Sequence, residues 1–390
     1  MTAARAIAFV APRLAGSGAV GGAETLIRAL AERTAASGDS VHLLTTCAQN
    51  HFTWENELPA GSRQVGPLTL HCFPVDPGRN QDRFHRAQER ICRGRFTPED
   101  ETAWMEESVN SQALLDFLAR QPFDRIVVGP YLFGLTVAVC RRFPEQARLL
   151  PCLHDEPFAR VSLIRTLFER AAGILFNSEP EMRLAQRLYA LDPGRCHQVG
   201  MGLDEFDADP DAFAKSRRLT APYLLYCGRR EPLKGTPLLF DYMTAFRART
   251  DRDVKLVLTG SGDVPVPAAL RPHLIDAGFV PEPVKRQAMA GAAAFCHPSL
   301  NESFSIVLLE SWMARTPALV RETAAVLQDH CRKSGGGLWF RHYPEFEEEL
   351  LRLLDDPALR RRMGDAGRDY VRREYAWPMV ERRLKRALEA

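Results

Sequence analysis

Short apolar runs alternate along this chain with stretches in which apolar residues recur every three or four positions. Ala6–Val10, Val41–Thr45, Leu68–Phe73, Arg125–Val128, Arg148–Leu153 and Gly173–Asn177 have the character of strands. Between the first two, Ala23–Ser37 keeps helical spacing, and Gly38 is placed to end it. Thr97-Pro98-Glu99-Asp100 combines an N-cap, a proline suited to the first helical position and an acid at the third, which predicts a helix start. Around Asp204–Leu219 the rhythm lapses into an acidic, proline-containing stretch that reads as a linker. A second series then follows, with strands expected at Tyr223–Cys227, Lys255–Thr259, His273–Phe279, Ala293–His297 and Ala318–Val320. The pattern divides the chain into a domain at 1–203, a linker at 204–220, a second domain at 221–375 and a helix at 376–390, expected to pack back towards the first domain. Strand–helix alternation at this rhythm implies parallel sheets wrapped by helices.

Composition narrows the class. The 390 residues exceed what one ordinary core organises, and 45% hydrophobic with 26% charged residues suits a globular protein. A formal charge of +2 does not suggest a nucleic-acid partner, so an anionic ligand must meet a local patch. The nine cysteines stand singly, without Cys-x-x-Cys or zinc spacing, and read as reduced core thiols of a cytoplasmic protein. Met1-Thr-Ala-Ala-Arg5 leads straight into a strand and does not resemble a signal peptide. No apolar run reaches the roughly 18 residues needed to span a bilayer. Any membrane contact is expected to be peripheral.

Four segments carry candidate chemistry. Gly16-Ser-Gly-Ala-Val-Gly21-Gly22-Ala23-Glu24 lies between a strand and a helix, where backbone N–H groups can approach a phosphate; a turn without a ligand is the alternative. Tyr226-Cys-Gly228-Arg229-Arg230-Glu-Pro-Leu-Lys234-Gly235 follows a strand, and ligands of open α/β sheets bind beyond the carboxyl ends of strands. There Arg229 and Lys234 can grip a diphosphate, the first as a fork and the second as a point charge. Thr259-Gly260-Ser261-Gly262 is another glycine-rich strand end, able to accommodate a nucleotide. In Asn301-Glu302-Ser303-Phe304-Ser305-Ile-Val-Leu-Leu-Glu310, one continuous helix would turn the two glutamates about 80° apart. Ser303 or Ser305 is a suitable N-cap, which leaves Glu302 in the loop and Glu310 in the helix. A cap and a solvated helix position is the alternative for this pair.

The glutamate pair resembles the E-x7-E motif of family 4 glycosyltransferases. Gly21-Gly22-Ala-Glu24, His154-Asp-Glu-Pro157, Asn177-Ser178, Gly202-Leu-Asp204, Gly228-Arg229 with Lys234-Gly235, and Gly260-x-Gly262 follow the family's order over nearly the whole chain. The resemblance implies an α/β GT-B fold: two Rossmann-like domains whose parallel sheets face a central cleft, the first binding the acceptor and the second the nucleotide sugar. It implies a retaining, metal-independent hexosyltransferase that uses a UDP- or GDP-sugar as substrate and no cofactor. The acceptor would be a hydroxyl of a glycan or lipid-linked glycan, in cell-surface polysaccharide or glycolipid assembly. By the same resemblance Glu302 and His154 are catalytic, and Gly22, Arg229, Lys234, Phe304 and Ser305 serve the diphosphate. Glu310 and Gly260 serve the nucleoside. Ser303, Ser305 and Arg315-Thr316 depart from the family, which often has glycine or a small residue there. A sugar-nucleotide epimerase or hydrolase of similar fold and an inactive nucleotide-binding homologue are the competing readings.

Two other features are weighed against that picture. The Asp-x-Asp triplets at Asp207–Asp209, Asp209–Asp211 and Asp251–Asp253 are read as surface residues rather than metal ligands. Arg79, Arg83, Arg86, Arg90 and Arg93 line one face of a helix if the segment is helical. A solvated face is the plain reading. An acceptor or anionic-membrane surface at Arg83, Arg86 and Arg90 is the functional one.

Overall fold

The computed structural model describes residues 4–14 and 21–390. The chain forms two compact units, Met1–Met201 with Val380–Ala390, and Gly202–Met379.

The first unit is built on an eight-stranded sheet. Its strands are β1 (Ala6–Val10), β2 (Ser40–Thr46), β3 (Gly61–Val65), β4 (Leu68–Phe73), β5 (Arg125–Val128), β6 (Ala147–Leu149), β7 (Gly173–Phe176) and β8 (Cys196–Gln198). They lie in the order β3-β4-β2-β1-β5-β6-β7-β8. Every pair is parallel except β3–β4. The central strands are buried and aliphatic because helices cover both faces of such a sheet. Helix Pro98–Glu106 begins as expected, with Thr97 and Asp100 in a reciprocal capping box.

The second unit holds a six-stranded sheet of β9 (Tyr223–Cys227), β10 (Lys255–Thr259), β11 (Leu274–Asp276), β12 (Ala294–His297), β13 (Ala318–Arg321) and β14 (Gly337–Phe340). The order is β11-β10-β9-β12-β13-β14, all parallel. The order reverses between β9 and its neighbours β10 and β12, which is where a doubly wound sheet opens a crevice at its carboxyl edge. The core below it joins Leu224, Tyr226, Leu256, Leu258 and Cys296 to Phe240, Met243 and Phe246 of helix Thr236–Arg249.

The structure corrects the sequence reading in several places. The strand expected at Arg148–Leu153 ends at Leu149, because Pro151 lacks a donor and Cys152 turns to φ 52°. That expected at His273–Phe279 shortens to Leu274–Asp276. Three short strands, β3, β8 and β14, appear where none was expected, and the antiparallel β3 makes the first sheet mixed rather than wholly parallel. The stretch read as linker contains a helix, Ala212–Arg217.

Candidate functional site

In the second unit the loops leaving β9, β10 and β12 converge. The β9 loop carries Arg229, Arg230 and Lys234, and the β10 loop carries Gly260 to Gly262. These two loops are laced together: Gly228 N donates to Thr259 O at 3.0 Å, and Arg230 N donates to Ser261 O at 2.7 Å. Such contact requires Gly260, whose φ is +114°; a Cβ there would stand 2.2 Å from Gly228 O. Arg230 pairs with Asp276 and donates to Gly260 O, so its guanidinium braces the loops. Arg229 is half exposed and lies 3.5 Å from Glu231.

The β9 loop is also tied to the β12 loop. Leu300 N donates to Leu233 O at 3.1 Å. Beside that bond Lys234 Nζ lies 2.7 Å from Glu302 Oε1, the carboxylate being the more buried partner. His297 at the end of β12 places Nε2 3.4 Å from the same oxygen. Burial drives the His297 pKa down to about 4, so the ring is neutral near pH 7 and its N–H can donate to Glu302.

Glu302 indeed precedes the helix and Glu310 lies within it, since the helix is Ile306–Met313. Its cap differs from expectation. Ser305 occupies the N-cap in the left-handed region at φ 72°, and its side chain makes no capping bond. Left-handed backbone costs a non-glycine residue roughly 1–2 kcal/mol, which accounts for the departure from glycine being conspicuous here. Arg315, the second departure, is also left-handed, at φ 62°. The Phe304 ring is buried against His330 and Tyr375, so only its backbone could serve a phosphate. Glu310 reaches Lys285 of helix Glu282–Ala290 at 3.0 Å. Thus the structure brings Arg229, Lys234, Glu302, Ser305, Gly260 and Glu310 to one edge of one sheet. Sequence reasoning missed Lys285 and His297.

In the first unit, Gly21 is the N-cap of helix Gly22–Ala36, and its N–H donates to Glu24 Oε2 at 3.0 Å. Glu24 also pairs with Arg13 at 2.7 Å. Gly22 is exposed, with nothing among the described residues within 4 Å of where its Cβ would stand. The part of this motif from Gly16 to Val20 lies outside the described residues. His154 follows β6, its Nδ1 3.8 Å from Glu156 Oε1, and that oxygen accepts the buried Tyr131 hydroxyl at 2.7 Å. The phenol therefore orients the carboxylate, beside which the imidazole stands without a hydrogen bond to that oxygen.

A buried acid fixes the same strand ends. Glu181 accepts Leu153 N–H through Oε1 and Asn177 N–H through Oε2, both at 2.6 Å. Burial pushes its pKa up to about 8 against the pull of those amides. Between the usual carboxyl range and pH 8 the unfolded chain releases a proton that the folded chain keeps, so this group's stabilisation falls as pH rises through about 8. Melting temperatures of the wild type relative to Glu181→Gln should therefore decline from pH 5 to pH 9. Parallel curves would show that Glu181 does not titrate in that window.

The arginine stripe is helical over Gln81–Cys92, with Ala87 and Ile91 buried beneath it. Arg83 binds Glu107 and Glu106, Arg90 binds Asp100, Arg93 binds Glu89, and Arg79 Nε donates to Glu107 O. Arg86 is exposed. Carboxylates of helix Pro98–Glu106 and its cap thus neutralise much of this face. Of the Asp-x-Asp residues, Asp207 pairs with Arg368, and Asp253 with Arg247 and Lys255. Among the described residues no helix is long and apolar enough to cross a membrane.

Residues 208–370 match the family of glycosyl transferases group 1. A D-inositol 3-phosphate glycosyltransferase from Jonesia denitrificans is 28% identical over 256 residues, 60% of each chain. A phosphatidyl-myo-inositol mannosyltransferase from Mycobacterium leprae is 30% identical over 203 residues, covering 49% of this chain and 52% of the relative. The chain thus spans between about half and 60% of the length of these curated relatives. Sucrose-phosphate synthase from Thermosynechococcus elongatus superposes with a TM-score of 0.75 at 17% identity, covering 99% of this chain and 98% of that one. An Anabaena protein solved in complex with UDP and glucose gives 0.67 at 15% identity, covering 98% and 99%. The chain therefore has the GT-B fold, and its residues 208–370 match the glycosyl transferases group 1.

Proposed function

We propose that the chain is a retaining glycosyltransferase that moves a hexose from a UDP- or GDP-sugar to a hydroxyl of a glycan or lipid-linked acceptor. The observation that carries this reading is the contact between Lys234 and Glu302 at the sheet edge that also holds Arg229 and Glu310. A diphosphate needs cations, a sugar losing its leaving group develops positive charge, and here one ion pair supplies both signs side by side. In this reading Arg229 and Lys234 stabilise the departing diphosphate, Glu302 faces the sugar, and Glu310 binds the ribose. The bond from the anomeric carbon to the diphosphate breaks while the acceptor oxygen attacks from the same face. The acceptor proton passes to a diphosphate oxygen. Catalysis then rests on positioning and charge stabilisation by fixed groups. In this reading His154, whose Nδ1 stands 3.8 Å from Glu156 Oε1, is a second catalytic group that touches the sugar. The names of the curated relatives favour an acceptor of inositol or lipid type.

Arg229 and Lys234 provide the charge that a divalent ion would otherwise bring, so transfer is expected to persist in excess EDTA. Screening UDP-, GDP- and ADP-sugars for thermal stabilisation selects the donor. Nuclear magnetic resonance of the product made in EDTA should then show the donor's anomeric configuration. An inverted anomer would refute retention. Loss of transfer in EDTA, restored by Mg²⁺ or Mn²⁺, would refute metal independence.

A further inference from the structure

Glu310 is held at one oxygen only. Its Oε1 lies 3.0 Å from Lys285 Nζ, whereas its buried Oε2 has no hydrogen-bond partner among the described residues. The two side chains are 17% and 14% exposed, so this is an ion pair largely withdrawn from water. Glu282, 2.7 Å from the same ammonium, is 59% exposed and well solvated. The charged or titratable groups that act on Glu310 are Lys285, Glu282 and Arg286 of helix Glu282–Ala290, together with Cys227 at the end of β9. Burial raises the Cys227 thiol to about 11, so it is neutral. Arg286 is turned over the Phe206 ring at 4.4 Å. The helix bearing Glu310 has no other ionisable residue.

We propose that Lys285 is a positioning residue of the nucleotide subsite: it keeps Glu310 ionised and pins Oε1, leaving Oε2 as a charged acceptor for a ribose hydroxyl of a nucleoside diphosphate. The proposal rests on the reading of Glu310 as the ribose ligand. Its physical basis is that a buried carboxylate without a counter-ion takes up a proton. Burial lifts the pKa of Glu310, and Lys285 is the largest influence pulling it back. Burial likewise opposes the Lys285 ammonium, but Glu310 and Glu282 outweigh it and hold that amine above its usual range. An ionised acceptor makes the stronger hydrogen bond to a hydroxyl. Lys285 therefore acts on the ligand through the protonation state and orientation of its neighbour.

The test compares the wild type with Lys285→Met, Lys285→Arg and the double variant Lys285→Met/Glu310→Gln. Without ligand, the melting temperature of Lys285→Met should fall with rising pH between 6 and 9 relative to the double variant. The reason is that an unpaired Glu310 keeps its proton when folded and releases it when unfolded. In the wild type and Lys285→Arg the cation offsets part of the burial that raises the Glu310 pKa, so their decline should be smaller and lie at lower pH. If Lys285→Met does not fold while the double variant does, the same coupling is demonstrated. In calorimetry with UDP and with GDP, Lys285→Met should bind about tenfold or more weakly at pH 6.5, the loss narrowing towards pH 9. Lys285→Arg should rescue binding. Parallel melting profiles for Lys285→Met and the double variant, or nucleotide affinity in Lys285→Met equal to wild type at every pH, would overturn the proposal. Failure of wild-type protein to bind either nucleotide would instead overturn the ribose reading, while the ligand-free profiles still decide the pairing.

Discussion

Glu302→Gln is expected to lower kcat by about 10²-fold or more, the scale of a single well-placed electrostatic group, while nucleotide affinity stays within a few-fold. The amide is nearly isosteric and can still accept from Lys234, whose Nζ lies 2.7 Å from Glu302 Oε1, so the β9 and β12 loops should keep their places. What disappears is the negative charge next to a sugar that becomes positive as its bond to phosphate breaks, an interaction that grows towards the transition state. Glu310→Gln should do the opposite. Ribose contacts are alike in ground and transition states, so the loss should fall on KM and on binding of the free nucleotide, by about 1–3 kcal/mol. Steady-state kinetics with calorimetry of both variants separates the roles. Nucleotide binding lost in Glu302→Gln and kcat alone lost in Glu310→Gln would exchange the two assignments. No change in either would return the pair to a loop acid and a buried structural acid.

The contrast between these glutamates was legible in the sequence because a cap-like serine separates them, and position in a loop or a helix follows from that alone. The chemistry of the cap was not legible. Nothing in Phe304-Ser305-Ile306 announces that Ser305 will be left-handed, with its hydroxyl buried and unbonded. Strand existence was readable where burial imposes aliphatic runs, as in β1 and β9, and unreadable in β3. That edge strand is exposed at four of its five positions and has no apolar pattern to detect. The partners of the candidate residues were hidden for a different reason. Lys285 meets Glu310 across 25 positions, and Tyr131 meets Glu156 across 25 more of another segment; only the fold brings them within reach. Local pattern reports what one element needs, and a site assembled at strand ends depends on what several elements share.

Gly235→Ala is expected to damage both stability and activity, because this glycine sits where the β9 and β12 loops touch. Its φ is +74°, and a Cβ would stand 2.1 Å from the Pro298 carbonyl oxygen, so strain and displacement add. Backbone strain and a forced shift together cost about 3 kcal/mol, or roughly 6–12 °C in melting temperature for a unit of this size. The displaced segment leads directly to Leu300, which bonds Leu233, and to Glu302, which pairs with Lys234. Moving Pro298 therefore moves the acid relative to the cation, and misplacement of about 1 Å can reduce turnover on the order of 10²-fold. Gly22→Ala is the control for glycine as such. It occupies the first position of helix Gly22–Ala36, is exposed, and meets no atom of the described residues within 4 Å of a new Cβ. Its melting temperature should remain within about 2 °C of wild type, since nothing is crowded and alanine favours the helix. Any loss of donor binding in Gly22→Ala then reports a ligand that needs the backbone bare. If Gly235→Ala melts and turns over like the wild type, the contact with Pro298 does not set the distance between Lys234 and Glu302. The pair would then have to be held by its own attraction alone.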